Sequence, residues 1–314
     1  LTPEETNQRH DGARPLTVLY IAGYGRSGTT LLSIALEQHP ALFSAGEIHE
    51  LTRHAWSQNT FCSCGLHLKE CAIWAGVMKG WLPQDAAAYL DDYVGLQKKF
   101  EPMNVAGAGA RSGAAFDKFG DATAGLFRQI SQASGKTVIV DSSKMPGRAA
   151  ALAKMPGVDL YVVHLVRDGR GVAWSLSKRY ARDVSAGLQR EIKPKSALRT
   201  SLRWSMVNLA TEGLRRAVGP DRYLLVRYED FVTDPASIMS RIGKMIRVDF
   251  SEAGMRIAQG QGMRAGHQIA GNRLRLNPSI KMQIDETWRA EMPAGKRAAF
   301  ESLSGWLLKR YGYR

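Results

Sequence analysis

Cysteine is scarce here. Cys62, Cys64 and Cys71 are the only three among 314 residues. That is too few for a disulfide framework, and the odd count leaves one thiol over in any pairing scheme. A reducing, cytoplasmic setting is the expectation that follows. Long apolar runs are missing as well. Nothing approaches the roughly 18 consecutive apolar residues of a membrane-spanning helix, so no integral span is expected. Residues 1–14 are polar and hold no signal-peptide core, and they are read as an N-terminal extension. No initiator Met stands at the start, which is compatible with removal of an upstream piece. Acidic residues are outnumbered, 29 against 43 Lys and Arg, for a net charge of +14. The basic residues are dispersed rather than blocked, densest at 179–203, and no nucleic-acid motif accompanies them. A small polyanion such as a nucleotide is therefore a better partner than nucleic acid.

With 44% hydrophobic and 23% charged residues, the chain has the composition of a globular protein. Its length allows most of the unfolded surface, roughly three quarters, to be buried without cross-links. Four short apolar runs at 16–22, 137–140, 160–166 and 223–227 read as buried strands. Helical patterns fall at 29–38, 84–100, 115–133, 147–154, 172–180, 196–218, 235–245 and 294–311. Near-continuous apolar strands alternating with helices predict a doubly wound α/β sheet, mostly parallel, with helices on both faces. One domain is expected over 15–314. The small-residue stretch 105–113 is read as a loop inside it, and 181–194 as a lid or substrate loop.

The strongest local signal is Gly23-Tyr24-Gly25-Arg26-Ser27-Gly28-Thr29-Thr30, directly after a strand and opening a helix. Gly23 and Gly28 have the spacing of a phosphate-binding P-loop, whose backbone N–H groups cradle an anion. The usual Lys before the second hydroxyl residue is replaced by Thr29, leaving Arg26 as the cation of the loop. A second strand-to-helix junction reads Val166-Arg167-Asp168-Gly169-Arg170-Gly171-Val172-Ala173-Trp174-Ser175. Arg167 sits at the strand's carboxyl end, where open α/β sheets bind ligands, and Ser175 is two turns into the helix. A local ion pair with Asp168 is the plainer role for Arg167. Near the C-terminus, His267-Gln268-Ile269-Ala270-Gly271-Asn272-Arg273-Leu274-Arg275 joins a backbone able to approach a phosphate at Gly271-Asn272 to a guanidinium at Arg275.

In these motifs the chain resembles the sulfotransferases that use 3′-phosphoadenosine 5′-phosphosulfate (PAPS), whose signature [RK]-S-G-T-T is met by Arg26-Ser27-Gly28-Thr29-Thr30. The R-S-G-T-T-L form is more like the protein-tyrosine and carbohydrate branches than the phenol-sulfating one. The resemblance spans residues 18–275 and is thinnest over 52–136. It implies that Arg26, Ser27, Gly28, Thr29 and Thr30 hold the 5′-phosphosulfate. It implies that Arg167 and Ser175 hold the 3′-phosphate, and that Gly271, Asn272 and Arg275 lie in a loop over the cofactor. Glu47, in Ala45-Gly46-Glu47-Ile48-His49, matches the catalytic Glu of the tyrosine- and glycan-sulfating branches. Lys144, in Asp141-Ser142-Ser143-Lys144, matches a Lys that neutralises the bridging oxygen. Tyr228-Glu229-Asp230 is common in the family and is read as structural.

Sulfuryl transfer needs a base for the acceptor hydroxyl and donors aimed at the leaving phosphate, and requires no metal. A free Glu is a weak base near neutrality unless burial raises it, so His49 and His54 compete with Glu47. The expected reaction passes the group from PAPS to an acceptor hydroxyl, with a carbohydrate or glycoconjugate favoured over peptide tyrosine or a small phenol. Adenosine 3′,5′-bisphosphate is the second product. A P-loop kinase and a non-catalytic nucleotide-binding module are the alternatives. Cys62-Ser63-Cys64-Gly65 with Cys71 and Trp74 resembles a C-x-C-G…C…W element of some bacterial sulfotransferases. Free buried thiols are the favoured reading there. A disulfide, or zinc held with His67, are the others, although C-x-C is not the usual zinc spacing.

Overall fold

In the computed structural model, which describes residues 15–102, 111–179 and 193–314, one five-stranded sheet has the order β2-β3-β1-β4-β5. Its strands are β1 (Leu16–Ala22), β2 (Leu42–Gly46), β3 (Val138–Lys144), β4 (Val158–Val166) and β5 (Tyr223–Arg227). Every pairing is parallel. The N-terminal extension, most of the 105–113 loop and nearly all of the 181–194 segment lie outside the described residues.

Strand periodicity divides the core. Val18, Tyr20 and Ala22 of β1 face one side with Ile139, Leu160 and Val162. There they meet α3 (Ala72–Trp81), α4 (Ala86–Phe100), α5 (Ala114–Ser134) and α6 (Pro146–Leu152). Leu19 and Ile21 face the other side with Val140, Val163 and Leu165. That side is covered by α1 (Thr29–Glu37), α10 (Pro235–Ile246) and α11 (Ser251–Ala258). A third cluster gathers α7 (Gly169–Ser177), α8 (Ala197–Val218), α12 (Thr287–Glu291) and α13 (Ala294–Arg310) around Trp204, Trp288 and Phe300. Short helices α2 (Ile48–Glu50) and α9 (Tyr228–Thr233) follow β2 and β5. The doubly wound α/β expectation holds.

Two differences matter for the site. β2 was not expected from its sequence, Leu-Phe-Ser-Ala-Gly, yet all five residues are buried. Small residues carry little strand propensity, and pairing with β3 supplies what the local sequence does not. β3 runs on to Lys144, four residues past the apolar run, because Asp141, Ser142 and Ser143 are themselves buried. Asp141 accepts from Ser143 N (2.9 Å), from Ser143 Oγ, and from Arg148 Nε (2.8 Å). Arg148 also pairs with Glu101, and all three charged side chains are at most 1% exposed. A buried guanidinium between two carboxylates lets polar strand residues sit inside the core.

Candidate active site

The loop from Gly23 to Gly28 crosses the carboxyl end of the sheet and ends in the N-terminus of α1. Gly28 is left-handed (φ 89°), and a Cβ there would lie 2.4 Å from the Tyr228 ring, so only glycine fits. Arg26 is also left-handed (φ 71°), a conformation that costs a non-glycine residue about 1–3 kcal/mol and needs support. Arg167 supplies part of it by donating from Nη1 to the Arg26 carbonyl at 3.2 Å. The Arg26 side chain turns across the cleft, where its Nε donates to Ser175 Oγ at 2.9 Å. Two junctions 149 residues apart in sequence thus meet directly. The N–H groups of Thr29 and Thr30 lie in the first turn of α1, where the helix end favours an anion.

Arg167 does not pair with Asp168, as a local reading allows. It donates to the Asp285 carbonyl (2.8 Å) and carboxylate (3.1 Å) and lies 4.7 Å over the Tyr228 ring. Asp168 instead binds Arg170 at 2.8 Å and caps α7. Burial alone would raise Asp285, but its bonds from Thr287 and Arg167 outweigh that and hold the carboxyl below its ordinary range.

On the β2 side, Glu47 follows the strand directly and pairs with Lys144 at the end of β3. Lys144 is left-handed as well (φ 69°), and its carbonyl accepts from Gly23 N at 3.3 Å, tying it to the start of the phosphate loop. Glu47 caps no helix end with its side chain. Its backbone N–H donates to Ile269 O at 3.0 Å, while Ile269 N–H donates to Ala45 O at 3.1 Å. The C-terminal loop is therefore laid beside β2 like a short extra strand. Gly271 (φ 86°) comes so close that a Cβ would sit 3.2 Å from Glu47 Oε1 and 3.3 Å from Thr30 Oγ1. Asn272 N donates to Thr30 Oγ1 at 3.3 Å.

The cleft so formed has a volume of about 490 Å³. Its walls include Arg26, Gly28, Thr29, Thr30, Glu47, Lys144, Arg167, Ser175, Gly271 and Asn272, so the sequence-derived residues converge on one place. Four cations, Arg26, Lys144, Arg167 and Lys281, face two carboxylates, Glu47 and Asp285, which suits an anionic ligand. Ser27 and Arg275 are buried and do not line the walls. His49 is buried too, with Nε2 2.9 Å from Glu50, and is not a wall residue. Neither is His54. Lys281, Gln283 and Asp285 also line the cleft, although no motif marks them. Tyr228 reads as structural in the sequence, yet its ring lines the cleft under Arg167.

His67 does not join the cysteines. Its Nδ1 is 2.6 Å from Asn59 O and its ring stacks on Phe61, and His267 stands with the thiols instead.

A parallel sheet of this order, with a glycine loop and a cleft lined by four cations at its carboxyl end, has the charge and shape of an anion site. Residues 19–252 match the profile described as the sulfotransferase family. The chain belongs to that family. Among curated proteins it is similar to mouse "Carbohydrate sulfotransferase 5", 28% identical over 173 residues, covering 51% of this chain and 43% of that protein. It is likewise similar to mouse "Carbohydrate sulfotransferase 4", at 27% over 176 residues, covering 50% and 43%. The matches thus span under half the length of these relatives. Among solved structures, the sulfotransferase domain of the Synechococcus PCC 7002 olefin synthase superposes with a TM-score of 0.54. It has 24% identity, and 98% of each chain is covered. The sulfotransferase domain from the curacin biosynthetic pathway gives a TM-score of 0.55 at 18% identity, covering 96% of this chain and 99% of that one. These two likenesses concern the fold.

Proposed function

We propose that this chain transfers a sulfuryl group from PAPS to an acceptor hydroxyl, releasing adenosine 3′,5′-bisphosphate. The observation that carries the reading is the Arg26–Ser175 contact opposite the Glu47–Lys144 pair within one cleft. The first gives two anion-binding junctions, for a nucleotide phosphorylated at both ends. The second gives a base and an acid at its reacting end.

The N–H groups of Thr29 and Thr30, with Arg26, hold the 5′-phosphosulfate. Arg167 and Ser175 hold the 3′-phosphate, with Tyr228 stacked beneath the guanidinium. When the donor enters, Lys144 exchanges Glu47 for the oxygen that bridges phosphorus and sulfur. The freed carboxylate takes the proton of the acceptor hydroxyl as that oxygen bonds to sulfur. The bridging S–O bond breaks with its electron pair going to the phosphate, where Lys144 and Arg26 meet the new charge. Asn272 and Gly271 close the cleft over Thr30 and Glu47. A carbohydrate or glycoconjugate acceptor is favoured by the relatives' names.

Little supports phosphoryl transfer. Asp141, the carboxylate inside β3, is fully buried and already engaged by Ser143 and Arg148. Incubation with radiolabelled PAPS and a panel of glycans, tyrosyl peptides and phenols tests the proposal. Label transferred to a glycan hydroxyl is expected. Transfer to a tyrosyl peptide or phenol alone would replace the acceptor assignment. Absence of transfer together with magnesium-dependent ATP turnover would replace the donor assignment.

A further inference from the structure

The three thiols, which the transfer chemistry leaves unused, converge on the ring of His267. The donor atoms of Cys62, Cys64, Cys71 and His267 all lie within 4.8 Å of one another. Cys71 Sγ is 3.2 Å and Cys62 Sγ 3.8 Å from the same atom, His267 Nδ1. One imidazole nitrogen offers a single proton or lone pair to two thiols, which it can at best share between them. A cation satisfies both. In a tetrahedral site with Zn–S of about 2.3 Å and Zn–N of about 2.0–2.1 Å, sulfur–nitrogen edges come to about 3.6 Å. The two sulfur–nitrogen separations here fall on either side of that value.

The backbone holds these donors together by itself. Cys62 N–H donates to Leu66 O (2.9 Å) and Gly65 N–H to Cys62 O (3.1 Å), closing a tight turn around Cys64. Cys71 immediately precedes α3, where the helix end favours a thiolate. The fourth donor arrives from far along the chain and is pinned there. Trp74 Nε1 donates to His267 O at 2.6 Å, and Ser63 N and Oγ donate to Gln268 O at 3.1 and 2.9 Å.

We propose that Cys62, Cys64, Cys71 and His267 form a closed, structural zinc site that fastens the C-terminal loop to the start of α3. Four protein donors leave no open position, which distinguishes a structural from a catalytic zinc. The three thiols release their protons on binding, so Zn²⁺ with three thiolates and a neutral imidazole carries one net negative charge. Arg275 meets that charge. It is 3% exposed, its Nε and Nη1 have no hydrogen-bond partner, and it lies in the field of Cys62. The odd cysteine count is explained as well, since no thiol is left over. Downstream of His267, the same loop pairs with Glu47 through Ile269 and presents Gly271 and Asn272 to the cleft. The metal would fix the position of that loop and take no part in transfer.

The test is metal content, which is independent of any acceptor or donor. Protein purified from zinc-supplemented cells under reductant, without chelator, is expected to hold about one zinc per chain by mass spectrometry of the elements. Cobalt substitution should give thiolate-to-cobalt charge-transfer bands and the intense visible bands of a tetrahedral centre. Cys64→Ser, at an exposed position, and His267→Ala should lose the zinc, whereas His67→Ala should keep it. Metal-free wild-type protein with three titratable thiols, or with a disulfide between Cys62 and Cys71, would overturn the proposal. So would a Cys64→Ser variant that binds zinc as tightly as wild type, or a cobalt spectrum without charge-transfer bands.

Discussion

The two walls of the cleft are assembled in different ways. The wall carrying Arg26, Arg167 and Ser175 comes from two strand-to-helix junctions, each continuous in sequence, that meet over the centre of the sheet. The wall carrying Glu47 and Lys144 is pieced together from the end of β2, the end of β3 and a loop beyond residue 260 laid alongside. The first sets two helix ends beside guanidinium groups that the fold already holds in place, an arrangement suited to an anion. The second holds a carboxylate and an ammonium against each other, a pairing that the proposed reaction has to open. Binding should therefore depend on the first wall and turnover on the second.

Glu47→Gln makes the sharpest cut between them. It retains shape and loses the proton acceptor, so kcat should fall by about 10²–10⁴ with the affinity for adenosine 3′,5′-bisphosphate unchanged. His49→Asn, assayed beside it, should retain more activity. A reversed order would move the base to the imidazole.

The second wall also rests on the buried Glu101–Arg148–Asp141 group, whose Ser143 accepts from His49 N at 3.2 Å and so locates the turn after Glu47. Removing one member leaves buried charge uncompensated. Arg148→Met should cost about 3–5 kcal/mol in denaturant unfolding. A loss below about 1 kcal/mol would mean the charges are solvated by some other route.

Arg167→Ala probes the first wall. A charge-assisted hydrogen bond contributes about 1.5–3 kcal/mol, so the bisphosphate should bind about 10- to 150-fold more weakly. Unaltered preference for nucleotides bearing the 3′-phosphate would show that Arg167 only supports the Arg26 carbonyl and Asp285.

A smaller effect separates the same two sides by pH. Glu37 of α1 accepts from Gly266 N (2.9 Å) and Gln268 Nε2 (3.3 Å), beside the His267 loop, and burial pushes its carboxyl from 4.5 up to about 7. The folded chain then holds the extra proton, so this group's contribution declines as pH rises from about 4.5 to about 7. His164 of β4, between Tyr223 and Asn208 on the other side, is pushed by burial from 6.5 down to about 4. There the unfolded chain holds the extra proton, and stability declines as pH falls from about 6.5 to about 4. The two slopes oppose. Relative to wild type, Glu37→Gln should make stability rise more steeply with pH, and His164→Asn should make it rise less steeply. Melting curves between these limits measure both, and two unchanged slopes would remove the assignment.

What could be read in the sequence follows the same division. Arg26 to Thr30 and Arg167 to Ser175 were legible because each is a contiguous pattern whose glycines and hydroxyls state a backbone geometry. The second wall was only half legible. Glu47 and Lys144 stood out by resemblance, but nothing local marks β2 as a strand, since Ser44, Ala45 and Gly46 gain their burial from pairing. Lys281 and Asp285 belong to the site because they fold back onto Arg167 and the cleft. By its motif His267 points to the cofactor loop, and by its nearness in sequence His67 points to the thiols. Sequence proximity misled in that case, because His67 is engaged by Asn59 and Phe61 within its own turn.

On this reading the first wall recognises a nucleotide phosphorylated at both the 3′ and 5′ positions. Calorimetric titration of wild-type protein with adenosine 3′,5′-bisphosphate, AMP and magnesium ATP decides the point. The bisphosphate should bind at least about tenfold more tightly than AMP, the equivalent of one charge-assisted hydrogen bond, and more tightly than ATP. Equal affinity for AMP, or tighter binding of magnesium ATP, would show that the wall does not read the 3′-phosphate.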